Sequence, residues 1–398
     1  MSPVARDFPV GPLAATLAVQ TLATAAAYSI PAVAPAVARD LGVNPALIGL
    51  YISTVYGVGI MSALFSPRFI RSYGAVRASQ TVLAATLAML ATAAAGSITA
   101  VALSAVLMGV AYGATAPAST HLLVPQTPRE HINLVLSLRQ IGVPLAGMLA
   151  GLVMPPLTLQ WGWRPALIAQ MVPVLVLGAA LEVVRRSWDR PHTIGSPPPT
   201  GLFAPLRLLV DRPVLRRLSF ASFVYSGLQL CFIVFMTTQL TTVAGMDLVQ
   251  AGRVLAAYQI AGILARPTWG WLADHVLAAR WLLALQGAIM CGAALLAAQF
   301  GPGWPGWLVI LVCACAGATA SGFTGIAYGE YARLGGERRT EATGLGAASM
   351  FGGVMVLPSL MSLAVTASGS YLIAYSSIGV LALLSGASLA FGQVKPSQ

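Results

Sequence analysis

The chain has 398 residues, 57% of them hydrophobic and only 8% charged, and its mean hydropathy is +0.81. Soluble domains carry roughly 45–50% apolar residues, so this composition excludes an ordinary water-soluble domain and describes a membrane protein. The net charge of +11 does not signal nucleic acid, because no segment outside the apolar runs is long enough to fold a basic face.

Apolar runs near or above the roughly 20 residues that cross a bilayer recur at 11–35, 46–66, 78–98, 100–124, 134–156, 165–184, 218–241, 250–272, 279–300, 306–330, 342–367 and 370–392. They predict an all-α membrane protein with twelve transmembrane helices. They are too long and continuous for the alternating ten-residue pattern of a membrane barrel. The first is followed by "APAVARD", which ends like a signal-peptidase site. A retained helix is expected instead, since the run exceeds a signal h-region and Asp7 dilutes the basic start.

In the first span Gln20, Thr24 and Tyr28 share one face at i, i+4 and i+8. The second ends in "SALFSPRFIR", with Arg71 and then Arg77 beyond it. Tyr112, Thr115 and Ser119 form a polar stripe on the fourth, with His121 near its end; the fifth begins with Arg139 in "SLRQIGVPLAG". After the sixth comes "RRSWDRPHTIGSPPPTG", whose Pro, Gly, Ser and Arg content reads as a linker. It divides the chain into a first six-helix bundle over 1–186, a linker over 187–212 and a second bundle over 213–398. The seventh span carries Tyr225 and Gln229, and the tenth Ser321, Thr324 and Tyr328. On the eighth, Arg266 has Gly262, Gln259 and Tyr258 at i−4, i−7 and i−8, one polar and open face. Hydroxyls bonded to their own helix carbonyls are the competing account of any single Ser or Thr.

Basic residues fall in alternate loops and tails, from Arg6 through Arg68, Arg129 and Arg280 to Lys395, with only Arg39, Arg164 and Arg253 on the other side. By the positive-inside rule both termini are cytoplasmic in a plasma, that is bacterial inner, membrane. Cys231, Cys291, Cys313 and Cys315 all lie within predicted spans, so packing is expected of them rather than disulfides or a metal site.

The halves look duplicated. At an offset of 203 Gly42 pairs with Gly245, Gly49 with Gly252, Gly59 with Gly262, Ile60 with Ile263 and Arg77 with Arg280; at 204 "GATA" of 113–116 recurs at 317–320. Internal repeats with a midplane site are a common transporter plan. The stretch "WGWLADHVLAAR" resembles the loop signature of the major facilitator superfamily: Gly270, Asp274, His275 and Arg280 match, while Leu277 replaces the usual second glycine. The resemblance covers the whole chain through span number, linker and repeat. It implies two pseudosymmetric six-helix bundles around a central site, with the first, fourth, seventh and tenth spans lining it, and loops that gate the cytoplasmic side.

The first copy departs from the signature, with Arg71 in the place expected to hold Asp and Ser72 in that of the basic residue. A charge-reversed latch is one expectation: Arg71 pairs with Glu337 or Glu341. The alternative is that Arg71 only obeys the positive-inside rule. By pseudosymmetry Asp274 is expected to face Arg129 or the N-terminus of the fifth span, which favours negative charge.

An ionisable group inside a span is costly, roughly 3 kcal/mol or more for Arg at a helix centre. Arg266 and Arg139 are therefore candidates for substrate binding, snorkelling to the cytoplasmic headgroups being the rival account. "ARPTWGWLAD" is similar to the eighth-helix segment of monocarboxylate-type members of the superfamily, and that resemblance implies an Arg266 that binds a carboxylate. Pro267 would bend the helix beside it. No acidic residue stands at mid-span, and the only lysine, Lys395, precedes Pro396, so an ATP-binding phosphate loop cannot form.

The expected function is gradient-driven transport of a small anionic, carboxylate-like solute by alternating access. No cofactor, metal or nucleic acid is implied; a proton or counter-anion, the bilayer and a monomer are. The expected binding residues are Arg266, Gln259, Tyr258, Arg139, Gln20, Thr24, Tyr28, Tyr225, Gln229, Ser321 and Thr324. Gly270, Asp274, Arg280, Arg71, Arg77 and Glu341 gate, and His121 is the candidate proton carrier. An exporter of lipophilic drugs or metabolites is the alternative. A membrane enzyme is more distant, since His121, His131, His192 and His275 have no catalytic partners at useful spacing.

Overall fold

The computed structural model describes residues 8–43, 48–189 and 204–391, and these are helical throughout, with no strand among them. Arg6, Asp7, His192, Lys395, Pro396 and most of the expected linker lie outside the described residues. In a bilayer every backbone polar group needs an internal partner, which helices supply within one segment.

The helices are α1 (Val10–Ala32), α2 (Ala34–Leu41), α3 (Ile48–Tyr73), α4 (Ala75–Ala94), α5 (Ile98–Leu123), α6 (Ile132–Gln140), α7 (Gly142–Trp161) and α8 (Trp163–Trp188). After them come α9 (Ala204–Asp211), α10 (Pro213–Thr242), α11 (Leu248–His275), α12 (Ala279–Ala297), α13 (Gly306–Ala316), α14 (Thr324–Gly335), α15 (Arg339–Ser368) and α16 (Tyr371–Ala390). A turn of π-helix, Gly317–Ser321, joins α13 to α14. Among the described residues ten segments are long and apolar enough to cross a membrane; one of them, Gly306–Ser368, runs 63 residues, and α11 is not in the set. That helix carries Arg253, Gln259, Arg266 and Asp274, which lower its apolarity.

Several expected spans are broken. The first ends at Val33, after Pro31, and α2 follows as a separate short helix. The fifth is interrupted at Ile141, where α6 gives way to α7. The paired glycines Gly42 and Gly245 share one backbone conformation in the two halves: both have positive φ, 65° and 70°, which L side chains resist. Gly42 closes α2, and two residues after Gly245 Asp247 opens α11 with a reciprocal capping box to Gln250.

The described residues form two compact units. The first takes in those of Met1–Pro128, Arg139–Arg207 and Gly335–Ala348; the second takes in those of Arg129–Leu138, Leu208–Leu334 and Ser349–Gln398. In the first, α3 packs on α5, α4 on α5 and α8, and α1 on α7. In the second, α12 packs on α16 and α11 on α13 and the π turn. Small residues set these approaches, as in other membrane bundles. Cys231, Cys291 and Cys313 are buried among the helices and Cys315 is exposed.

Candidate functional site

In the second unit α11 crosses the tenth apolar segment with almost no gap. A Cβ on Gly317 would collide with the Tyr258 carbonyl oxygen, and one on Gly262 would stand 2.7 Å from Ser321 Cβ. Backbones that close leave room only for glycine, and they put the next turn of α11 against the π turn. There Arg266 is buried, with a relative exposure of 1%. Its Nη2 donates to Ser321 Oγ at 3.0 Å and its Nη1 to the Gly262 carbonyl at 3.4 Å. Both acceptors are uncharged. Removing a cation from water is costly unless its hydrogen bonds and charge are met.

The surrounding groups extend this cluster. Gln229 Nε2 on α10 donates to the same Ser321 Oγ at 3.1 Å, and the buried Tyr258 hydroxyl donates to the Gln229 carbonyl at 3.4 Å. Phe232 stands 6.1 Å from the Tyr258 ring, centroid to centroid. Thr324 is 8% exposed, and its Oγ1 has no hydrogen-bond partner among the described residues. Trp269 Nε1 fastens α11 to the π turn by donating to the Ala318 carbonyl at 2.8 Å. Of the expected binding residues in this unit, the structure thus brings together Arg266, Tyr258, Gln229 and Ser321. Gln259 is half-buried on α11 without a hydrogen bond to this group. Tyr225 is engaged elsewhere: its hydroxyl donates to the Leu283 carbonyl at 2.8 Å, and its ring stands edge-on to Phe323 at 5.3 Å.

The first unit holds its own buried arginine. Arg139 Nη2 donates to Gln20 Oε1 at 2.5 Å, its Nη1 donates to the Gln140 side chain, and Gln20 Nε2 donates to Thr24 Oγ1 at 2.7 Å. The break at Ile141 lets Gly142 approach α1, where a Cβ would come within 3.0 Å of Thr21 Oγ1. Gln20, Thr24 and Arg139 are therefore one cluster. Tyr28, further along α1, stands against Gly147 of α7.

Two contacts secure helix ends. In the second unit the Asp274 carboxylate accepts from the backbone N–H of Asn133 at 3.1 Å, from Asn133 Nδ2 at 2.8 Å and from the backbone N–H of Leu134 at 2.8 Å. It caps the N-terminus of α6, as the pseudosymmetry predicted, and the partial positive charge there favours it. Burial raises the Asp274 carboxyl above the usual Asp range, and these three bonds oppose the rise. Gly270, one turn back, admits α6: a Cβ there would stand 2.7 Å from Ser137 Oγ. His275 stacks on Trp271 with centroids 5.1 Å apart, and His131 lies 5.8 Å from it. Arg280 sits over the Trp281 ring at 5.7 Å.

In the first unit Arg71 Nη1 pairs with Glu341 Oε1 at 2.5 Å, and the glutamate is buried. The charge-swapped pair is thus present, with Glu341 as the partner. Beside it His121 Nδ1 lies 2.7 Å from Thr340 Oγ1, so the first turn of α15 is gripped twice. Arg77 makes an exposed pair with Glu182 at 3.1 Å.

Sequence reasoning missed several participants. Asp189, at the end of α8, accepts from the backbone N–H groups of Val76 and Arg77 at 2.9 and 3.2 Å. It supplies to α4 the capping carboxylate that the first-copy signature lacks. Asn133 and Thr340 were passed over, as was Gln286, which is fully buried on α12 with neither amide atom hydrogen-bonded among the described residues. A polar residue inside an apolar span was the available signal for Gln286. The others act over long sequence separations that no local pattern records.

Comparison with known proteins agrees with this architecture. The family model described as Major Facilitator Superfamily matches residues 16–334 and 245–398. The probable nitrate/nitrite transporters of two Mycobacterium tuberculosis strains are 34% identical over 92 residues, a stretch spanning 23% of this chain and 22% of theirs. The fucose:proton symporter of E. coli shares the fold at a TM-score of 0.74 and 14% identity, over 96% of this chain and 98% of its own. The human organic anion transporter TETRAN does so at 0.73 and 16%, over 96% and 100%. With its helical architecture, duplicated halves, signature loop and family match, this chain belongs to the Major Facilitator Superfamily of membrane transporters.

Proposed function

We propose that the protein is a gradient-driven secondary transporter that carries a small anionic solute, carboxylate-like or nitrate-like, across the membrane by alternating access. The observation that carries this reading is Arg266: a fully buried guanidinium whose two terminal nitrogens donate to a hydroxyl and a backbone carbonyl. A cation is costly to place in an apolar setting, and its charge favours an anionic guest over a neutral or cationic one. Tyr258, Gln229, Ser321, Thr324 and Gln259 supply neutral hydrogen bonds beside it. In the first unit Arg139 with Gln20 and Thr24 forms a second basic cluster, with Tyr28 further along α1; Tyr225, bonded to the Leu283 carbonyl, is left out of the set. The relatives described as nitrate/nitrite transporters support an anion, over the quarter of the chain that they match.

The inner gates of this reading are the Asp274 cap on α6, with Gly270 and Arg280, and the Arg71–Glu341 pair, with Arg77. His121 is the candidate proton carrier, since no carboxylate stands at mid-span. The protein acts as a monomer with twelve spans in a bacterial inner membrane, both termini cytoplasmic, as its basic loops imply. Uptake by proteoliposomes of the full chain, driven by an imposed proton or anion gradient, tests the reading. Carboxylates and nitrate should accumulate, and Arg266→Ala should abolish this while Arg266→Lys restores part of it, having lost the bidentate fork. Transport of cationic lipophiles alone, unchanged in Arg266→Ala, would replace the reading with a drug exporter.

A further inference from the structure

The hydroxyl of Ser321 is used in an uncommon way. Serines and threonines in helices ordinarily donate back to a carbonyl three or four residues earlier. Thr115, Ser119 and Thr319 all do so here. Ser321 does not. Its Oγ accepts from Arg266 Nη2 at 3.0 Å and from Gln229 Nε2 at 3.1 Å, and it donates to none of the described residues. A hydroxyl oxygen has two acceptor positions and one proton, so both positions are filled and the proton is left over, at a site only 1% exposed. One turn on, Thr324 Oγ1 is likewise buried with no partner among the described residues. Residues three apart in a helical stretch share a face, and this pair begins where the π turn ends. Such turns often mark functional positions.

We infer that Ser321 makes the site selective for oxyanions that carry acceptors only, so that a guest of the same charge and shape with a proton to donate is rejected. The inference rests on the anion reading given above and deepens it. Arg266 supplies charge, which any small anion satisfies. Ser321 adds discrimination, because its oxygen can take no third hydrogen bond and its proton must find an acceptor. A guest hydroxyl turned toward it would set donor against donor and leave both unsatisfied in a buried place, which lowers affinity by about tenfold. Gln229 is a positioning residue: its amide fills the second acceptor position of Ser321 and so orients the Ser321 proton outward.

Matched pairs of probes test this with the full-length protein in detergent, by ligand-induced shifts of melting and by titration of the dissociation constant. Nitrate and bicarbonate are planar monoanions of similar size, and only bicarbonate carries an O–H between the two pKa values of carbonic acid. Pyruvate and lactate differ by a keto oxygen against a hydroxyl. Nitrate and pyruvate should bind about tenfold more tightly than their partners. Ser321→Ala should weaken the acceptor-only member of each pair and bring both ratios toward one, and Ser321→Thr should keep them. Gln229→Leu, by emptying an acceptor position on Ser321, should admit bicarbonate and lactate and narrow the ratios too. Equal or reversed affinities within both pairs in the unaltered protein overturn the inference and leave the anion reading standing. If no anion in the panel binds while an uncharged or cationic lipophile does, both fall. Should Ser321→Ala not fold, the ratios of the unaltered protein and of Gln229→Leu decide.

Discussion

The two halves contain the same helix crossing with different chemistry. In the first unit Gly113 of α5 lies on the Gly59 carbonyl of α3, and a Cβ on Gly109 would stand 2.7 Å from the Val55 carbonyl. In the second, Gly262 of α11 meets Gly317 and Ser321, and Gly317 meets Tyr258. The offsets of 203 and 204 map Gly59 onto Gly262 and Gly113 onto Gly317, while Cys313 stands at the place of Gly109. The geometry of approach is therefore shared. At the same offsets Ala63 stands where the second copy has Arg266, and Pro117 where it has Ser321. The first crossing continues as α-helix through Pro117, while the second opens into the π turn. Glycines build the crossing twice; the buried charge and its hydroxyl are added to it once. Interhelical packing and ligand chemistry are thus separable, and substitutions should affect one without the other.

Gly317→Val carries the largest expected effect. Its branched side chain meets backbone that cannot yield, which exceeds the ~1–3 kcal/mol typical of overpacking, and the folded, detergent-soluble protein should be lost in size-exclusion chromatography. Gly113→Val should behave alike, and survival of either would separate the two crossings. Arg266→Ala comes next, expected to leave folding intact and to remove anion uptake, whereas a bulkier Ala63→Leu at the equivalent place should perturb packing alone. For the inner ends, Arg71→Glu and Glu341→Arg should each slow transport and their combination should recover it in part, since an unpartnered buried charge is worse than a reversed pair. Lack of any recovery removes the pair from the gating scheme. Asp274→Asn replaces one of the two acceptor oxygens of the α6 cap with an amide nitrogen that cannot accept from an N–H, and should lower stability by about 1 kcal/mol, read as a fall in melting temperature. Smallest is Gly252→Ala, at an exposed helical position with nothing within 4 Å of the added carbon, which should raise stability by about 0.5–1 kcal/mol.

Much of this was legible in the sequence because it is periodic or repeated. The helices follow from apolar runs, the crossings from glycines at a fixed offset, and Arg266 from a lone charge in an apolar stretch. For Arg71 the sequence left two accounts open, a pair with Glu337 or Glu341 and the positive-inside rule alone, and the contact with Glu341 is in the structure. What stayed hidden lies in contacts across long separations or in local backbone choices. The Asp189 cap on α4 joins residues 113 positions apart. The π turn over "GATAS" differs from the α-helical "GATAP" of the first half by a single residue, too little for a pattern to separate. The stripe on the seventh span held Tyr225 and Gln229 together in sequence, yet their side chains bond to different helices, Tyr225 to Leu283 of α12 and Gln229 to Ser321.

The central claim, that the buried guanidinium of Arg266 holds an anion, is tested most directly by titrating nitrate and pyruvate into the purified full chain and its Arg266→Gln variant while tryptophan fluorescence reports saturation. The account predicts saturable binding in the unaltered protein and its loss in the variant, with both proteins melting as a single folded species. Equal anion affinity in the two would contradict it.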